Sequence, residues 1–176
     1  MELTIKERLM FANQMKILEA LYPDEAEYYR NHREALESGY EFQYEWIVEH
    51  FSEGLNSEAC KEVLDILEMY HRMIMKFREL NNDQKAEIGI EEVIFPGFDG
   101  NNETSQLNYA IYFMHNLNRF GEVREDTEFP DYDSHTPTLR LYRDMLRLFN
   151  NVMESDHELS FINLKELIEM QPLSMR

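Results

Sequence analysis

Glu68 and His71 are the residues whose types and spacing come closest to a metal-binding or catalytic pattern. At i and i+3 of a helix the two side chains share a face, and pairs of this spacing hold di-iron or di-manganese centres in helical bundles. Such a centre needs a second pair, and Glu154 with His157 repeats the spacing only near a predicted helix end. We therefore expect an interior histidine beside a solvated glutamate, with no metal and no cofactor, and keep Glu68 and His71 as the only metal candidates.

Two acidic segments have the composition of cation sites. Segment 99–103 begins like a calcium-binding loop, but Thr104 and Ala110 then stand where that loop needs Gly and Glu. We expect Asn101 or Asn102 to cap the following helix instead. The loop at 122–133 could hold a cation or meet a basic partner, but a solvated loop is the preferred interpretation. Its acids are Glu122, Glu125, Asp126, Glu128, Asp131 and Asp133, against the single base Arg124.

Other catalytic chemistry has little support in the sequence. The chain has no G-x-S-x-G nucleophile motif, no phosphate-binding glycine loop and no H-E-x-x-H zinc motif. The single cysteine, Cys60, falls on an apolar helical stripe, where a buried and inert thiol is expected. Catalytic and binding residues therefore stay unknown at this stage.

The net charge limits the class of partner. The 176 residues carry 17 Lys and Arg against 35 Asp and Glu, which gives a net charge of -18. Such a surface repels nucleic-acid backbones and anionic lipid, so we expect no nucleic acid and no membrane among the partners. The N-terminus lacks an apolar signal segment, no stretch approaches the length of a membrane span, and one cysteine forms no internal disulfide. A cytoplasmic protein is expected.

Helical periodicity and capping signals predict an all-α fold of about seven helices. Thr4 and Glu7 form a capping-box pattern, Pro23 separates the first two helices, and Gly39 fits a left-handed C-terminal cap. The sequence predicts an N-terminal helical hairpin at 1–39 packed on a helical core domain at 40–170, with a flexible tail at 171–176. The predicted helices cover about 4–22, 24–38, 41–53, 58–80, 103–119, 136–152 and a last segment that begins after Ser160.

The longest predicted helix carries two rows of apolar side chains. One row recurs at spacings of three and four, and a second row lies beside it. A helix that is apolar over so wide an arc needs cover on two sides, which a symmetric second copy of the chain often supplies. The rows are Cys60, Val63, Leu67, Tyr70, Ile74 and Phe77, then Ile66, Met69, Met73 and Leu80.

Several segments resemble the YfbU family of bacterial proteins. They are ERLMFANQMKILE at 7–19, GYEFQYEWIVEHF at 39–51, CKEVLDILEMYHRM at 60–73, FPGFDGNNE at 95–103 and TPTLRLYRDMLRLF at 136–149. The resemblance implies an all-α fold and a cytoplasmic protein that self-associates. It assigns no catalytic residue, because no biochemical activity is established for the family, and it does not extend to the acidic loop at 122–133.

Three functional hypotheses follow. The preferred one is a non-enzymatic, homo-oligomeric protein with a regulatory or interaction role and a possible protein partner. The first alternative is a metal-dependent enzyme built around Glu68 and His71. The second is a module that binds a small molecule or peptide in an aromatic groove lined by Tyr28, Tyr29, Tyr44, Trp46 and Tyr70.

Overall fold

The computed structural model describes residues 1–51, 54–125 and 131–172. It confirms the all-α fold: nine α-helices occur in the described residues, three of them short, and the β-pairing there is one isolated bridge between Phe98 and Asp133. The helices are α1 (Ile5–Leu21), α2 (Ala26–Ser38), α3 (Tyr44–Ile47), α4 (Ser57–Glu79), α5 (Asn82–Lys85), α6 (Thr104–Ile111), α7 (Gly121–Glu125), α8 (Leu139–Ser155) and α9 (Phe161–Glu169).

The chain divides into two compact units, Met1–Gly54 and Leu55–Arg176. The structure therefore groups residues 40–54 with the N-terminal unit, whereas the sequence placed the boundary after residue 39. The reason is local, because α3 packs on α2 and Tyr44 is 1% exposed in the small core of that unit.

The first unit is the predicted hairpin of α1 and α2. Thr4 and Glu7 form the expected capping box, since the Thr4 hydroxyl accepts from the Glu7 N–H and the Glu7 carboxylate accepts from the Thr4 N–H. Gly39 ends α2 at φ 75°, a conformation that favours glycine, and an added Cβ there would overlap the guanidinium of Arg8. Arg8 itself donates to the carbonyl of Leu36 and so ties α1 to the end of α2.

The third predicted helix is much shorter than expected. The pattern predicted a helix over 41–53, but the structure has a 3₁₀ turn at Glu41–Gln43 followed by the single helical turn of α3. Periodic apolar residues alone do not maintain a helix here, because Phe42 and Trp46 are exposed and no core holds their face.

The second unit is built around α4, as the two apolar rows predicted. Seven of its side chains are fully buried, and α6, α7, α8 and α9 all pack against it. The cover that α4 needs thus comes from its own unit. The buried residues are Val63, Ile66, Leu67, Met69, Tyr70, Met73 and Ile74.

Two predicted helix caps are wrong. The N-cap of α4 is Asn56, whose side chain accepts from the Ala59 N–H, rather than Ser57. Asn101 and Asn102 do not cap α6, because its N-cap residue is Glu103 and no side chain makes a capping bond there. The backbone N–H of Asn101 and the side-chain amide of Asn102 instead donate to the carboxylate of Asp99. Ser160 does cap α9 as predicted, in a reciprocal pair with Asn163.

Helices α6 and α8 also differ from their predicted bounds. The predicted final turns of α6 form a π-helix at Tyr112–Asn116. Helix α8 begins at Leu139 and not at the start signal formed by Thr136 and Pro137. At the C-terminus, Gln171 of the predicted tail is buried and its amide donates to the carbonyl of Glu92, while residues 173–176 lie outside the described part of the chain.

We predict that Leu67→Asp destabilises the protein by about 3–5 kcal/mol, because it buries an unpaired charge in the middle of α4. Urea unfolding followed by circular dichroism measures the loss. Met75→Asp is the matched control, since Met75 lies on the same helix and is 36% exposed. Equal unfolding midpoints for the two variants would contradict the central position of α4.

Candidate functional site

The structure places Glu68 and His71 on α4 but gives them different partners. Glu68 accepts a hydrogen bond from Arg72 Nε at 2.7 Å. His71 Nδ1 lies 3.4 Å from the carboxylate of Glu122 without forming a hydrogen bond, and its ring packs on Phe120. The two side chains are therefore parts of separate contacts, and the geometry gives the metal-dependent enzyme little support.

The second glutamate–histidine pair is equally dispersed. His157 lies beyond the end of α8 with φ 61°, and its Nδ1 is 3.0 Å from the carbonyl of Met153, while Glu154 is exposed. Within residues 1–51, 54–125 and 131–172, no three His, Cys, Asp or Glu side chains are grouped so that they could hold a metal ion.

A buried polar cluster joins two loops of the second unit around Glu103. This carboxylate is 5% exposed, and its oxygens accept from the N–H groups of Thr138 at 2.9 Å, Leu139 at 2.8 Å and Asp99 at 3.1 Å. The Thr138 hydroxyl donates to it as well, at 2.9 Å. Glu103 thus supplies the N-terminal cap of α8 from another part of the chain.

This cap explains where α8 begins. The first N–H groups of a helix need acceptors, and a carboxylate there also interacts favourably with the helix dipole. The side chain of Thr138 makes no capping bond, so the carboxylate of Glu103 fixes the start of α8. No local pattern in the sequence signals the role of Glu103, because its contact with Thr138 spans 35 residues.

Asp99 and Asp133 organise the same pair of loops. Asp99 accepts from Asn101 N and Asn102 Nδ2, and Asp133 accepts from Gly100 N at 3.0 Å and His135 N at 2.8 Å. The hydrogen bond from Asn102 and then that from the Asn101 N–H lower the pKa of Asp99, and those from Gly100 and His135 lower the pKa of Asp133. Both groups are acceptors for the loop backbone.

Gly97 allows the two loops to approach each other closely. Its φ is 97°, and a Cβ at this position would overlap the carbonyl of Tyr132. The Gly97 carbonyl in turn accepts from the hydroxyl of the buried Tyr142 at 2.6 Å. Burial raises the pKa of Tyr142 well above its usual value, so this hydroxyl stays protonated and donates.

The acidic loop at 122–133 is only partly described. Glu122 faces His71, while Asp131 accepts from the N–H of Asp133 at 3.3 Å. Asp126 and Glu128 lie outside the described residues. The carboxylates of this loop for which the structure gives contacts meet backbone N–H groups or a neighbouring side chain of their own unit.

The aromatic residues proposed to line a groove do not share one environment. Tyr44 is 1% exposed and Tyr70 fully buried, and each lies in the core of its own unit. Tyr28 and Trp46 are exposed, and Tyr28 packs its ring on Tyr29 and His32. Tyr44 and Tyr70 therefore contribute core packing rather than the wall of an open groove.

Cys60 is half-buried at the start of α4. Its thiol lies 3.5 Å from the carbonyl of Leu55, the distance of a weak hydrogen bond to sulfur. The expectation of a fully buried thiol is therefore met only in part.

The clearest unexplained surface is apolar and belongs to the first unit. Of the nineteen large apolar side chains exposed in the described residues, fourteen lie in Met1–Gly54. The apolar cluster of that unit has Ala12, Leu36 and Tyr44 as its buried members, and Ala35 and His32 of α2 are also buried. The exposed apolar residues of α1 are Ile5, Leu9, Met10, Phe11, Ile17 and Leu21.

These features define an all-α protein with a small hairpin unit, a larger unit centred on one long helix, and an apolar surface on the hairpin. A family model described as the YfbU domain matches residues 1–170, and the chain belongs to the YfbU family. Among the described residues, no helix combines the length and the apolar composition needed to cross a bilayer.

We predict that Glu103→Gln destabilises the protein by about 2–3 kcal/mol, because the amide offers its NH2 group where N–H donors already point. Thermal or urea unfolding measures the loss. Glu58→Gln is the control, since Glu58 is an exposed carboxylate in the first turn of α4. This substitution should change the free energy of unfolding by less than about 0.5 kcal/mol. Equal effects would contradict the capping role.

We also predict that Asp133 makes the protein sensitive to acid. Its pKa is lowered in the folded state, so its stabilising effect is present above the ordinary value of 3.8 and is lost as the pH falls through the folded value. Asp133→Asn keeps the Oδ1 acceptor and removes the titrating charge. When the pH is lowered from 5 to about 3, the melting temperature of this variant should therefore fall less than that of the wild type. An unchanged acid response would contradict this assignment.

Proposed function

We propose that this protein functions by association, as a non-enzymatic interaction or regulatory protein whose first partner is a second copy of the same chain. The observation that carries the proposal is the concentration of exposed apolar side chains on the Met1–Gly54 unit. A monomeric protein rarely leaves so many large apolar side chains of one small unit in water, and such a concentration is typical of interaction sites.

The small core of the hairpin supports the same proposal. The buried members of its apolar cluster are Ala12 of α1, Leu36 of α2 and Tyr44 of α3, and Ala35 and His32 of α2 are buried as well. So few buried side chains, two of them alanines, stabilise the unit little on their own, since isolated helical pieces are marginal in water. Burial of the outer face of α1 against a partner would add the apolar contacts that the hairpin lacks.

The surface that carries association is not the one that the sequence first suggested. The apolar rows of α4 motivated self-association, but four helices of the same unit cover them. The proposal therefore rests on α1. A cytoplasmic location belongs to the same proposal and is supported by the presence of a single cysteine.

We predict that static light scattering at micromolar concentration gives a mass of at least twice 21.2 kDa. Ile17→Glu should shift the equilibrium towards the monomer by about tenfold or more in Kd, which corresponds to about 1.4 kcal/mol. Ile162→Glu is the matched control, because Ile162 is 68% exposed on α9 and Ile17 is 59% exposed on α1.

A wild-type mass of 21.2 kDa over the whole concentration range would contradict the proposal. Equal dissociation by Ile17→Glu and Ile162→Glu would also count against it, because a general effect of added negative charge would then explain the result.

A further inference from the structure

We infer that the groove between α1 and α2 binds a short segment of another protein, with apolar side chains in one half of that segment and carboxylates in the other. This surface, here called the hairpin groove, runs along α1 from Ile5 to Ala20, about 22 Å at the rise of an α-helix. Its lining residues all belong to the first unit. The partner is a different protein, so the inference goes beyond the proposed self-association and does not depend on it.

Two neighbouring cavities make up the hairpin groove. One, of about 250 Å³, lies between the first half of α1 and the end of α2. The other, of about 540 Å³, lies between the second half of α1 and the first half of α2. Ala12 of the first cavity and Lys16 of the second are one turn apart on α1, and Glu37 and Arg33 are one turn apart on α2. The two cavities therefore follow each other along the hairpin.

The lining positions of each helix share one face. At 3.6 residues per turn, five of those on α1 fall within an arc of about 80°, and four of those on α2 fall within about 60°. The hairpin groove is therefore one continuous strip. The α1 positions are Ile5, Leu9, Ala12, Lys16 and Ala20. The α2 positions are Ala26, Arg30, Arg33 and Glu37.

The two ends of the hairpin groove differ in chemistry. At one end Ile5 and Leu9 are 76% and 61% exposed, and the buried Leu36 lines the same cavity. The lining of the other end includes the three bases Lys16, Arg30 and Arg33. A partner that fits both ends must bring apolar side chains to the first and negative charge to the second.

The distribution of charge favours an acidic partner. Residues 1–54 contain five Lys and Arg and twelve Asp and Glu, so the unit as a whole is acidic. The hairpin groove has the opposite balance, because four of those five bases line it together with two acids. It is a local positive surface on a molecule of net charge -18, and it therefore attracts carboxylates. The bases are Arg8, Lys16, Arg30 and Arg33, and the acids are Glu19 and Glu37.

The two acids of the hairpin groove are already bound by its arginines. Glu19 accepts from Arg30 Nε at 2.9 Å and from Arg33 Nε at 3.2 Å. Glu37 accepts from Arg33 Nη1 at 3.1 Å. The hydrogen bond from Arg30 lowers the pKa of Glu19, so this carboxylate stays charged and holds both guanidinium groups in place.

Donors for a carboxylate of the partner remain on the same bases. In the part of the chain that the structure describes, Arg30 forms its hydrogen bond through Nε alone, and Lys16 has no ion pair. A guanidinium has five N–H donors and an ammonium has three, so both groups can bind a further carboxylate. The partner therefore need not displace Glu19.

The apolar end favours a protein segment over a nucleic acid or a free anion. A phosphate backbone and a small anion have no apolar group to place against Ile5 and Leu9. The net charge of -18 also repels a long polyanion. An amphipathic segment that places its apolar side chains in a groove is, by contrast, a common form of peptide recognition.

Fluorescence anisotropy with a labelled peptide tests the inference on the full chain. The probe has about 15 residues, enough to span the hairpin groove as a helix, with leucines in one half and glutamates in the other. One control peptide has glutamine in place of every glutamate, and a second has serine in place of every leucine. The probe should bind saturably at micromolar protein, and both controls should bind at least about tenfold more weakly.

Lys16→Glu should weaken binding of the probe by about tenfold or more, because it replaces an attraction with a repulsion. Lys6→Glu is the matched control, since Lys6 is also an exposed lysine of α1 but is not among the residues that line the hairpin groove. Its effect should stay below about threefold. Thermal melting followed by circular dichroism checks that both variants are folded.

The inference is overturned if the wild type does not bind the probe saturably, or if Lys16→Glu and Lys6→Glu weaken binding equally. Displacement of the probe by a single-stranded oligonucleotide or by inorganic phosphate, at the concentration at which unlabelled peptide displaces it, would also overturn it. Light scattering reports self-association separately. A monomer that binds the probe would support the hairpin groove and contradict self-association, and a dimer that does not bind it would do the reverse.

Discussion

Seven side chains of α4 lie in the core of the larger unit, and the helices α6, α7, α8 and α9 all pack against them. Helical stability in proteins comes mostly from such tertiary burial rather than from intrinsic propensity. The aromatic rings of Tyr70, Phe95 and Tyr142 extend the same core towards the loops that precede α6 and α8. The position of those loops, and of the polar cluster that they form, therefore depends on α4.

The Glu103 cluster shows how a polar group is accommodated beside that core. Burying a carboxylate is costly unless donors surround it, and here three backbone N–H groups and one hydroxyl do so. Each donor belongs to a loop or to a helix start. The four hydrogen bonds that offset the burial of the carboxylate therefore also fix the positions of these segments. The Glu103 carboxylate thus serves as a structural acceptor for the backbone of both loops.

Local signals predicted most of the fold, and long-range contacts explain where they failed. The capping box at Thr4, the cap at Gly39 and the two apolar rows of α4 depend on residues a few positions apart, and the sequence shows them directly. The start of α8 depends on Glu103, which is distant in the chain, so the local signal at Thr136 was misleading. The length of α3 depends on the absence of a covering core, which periodicity does not reveal. The candidate site was harder still, because the exposure of α1 is a property of packing and not of its residue types.

The sparse core of the hairpin has a thermodynamic consequence. The few buried residues of this unit give it a low free energy of local opening compared with the larger unit, so its amides should be the first to exchange with solvent. A partner that binds only the closed form stabilises it by mass action. The fraction of molecules with an ordered N-terminal segment would then rise with the concentration of the protein in the cell, which couples abundance to local structure.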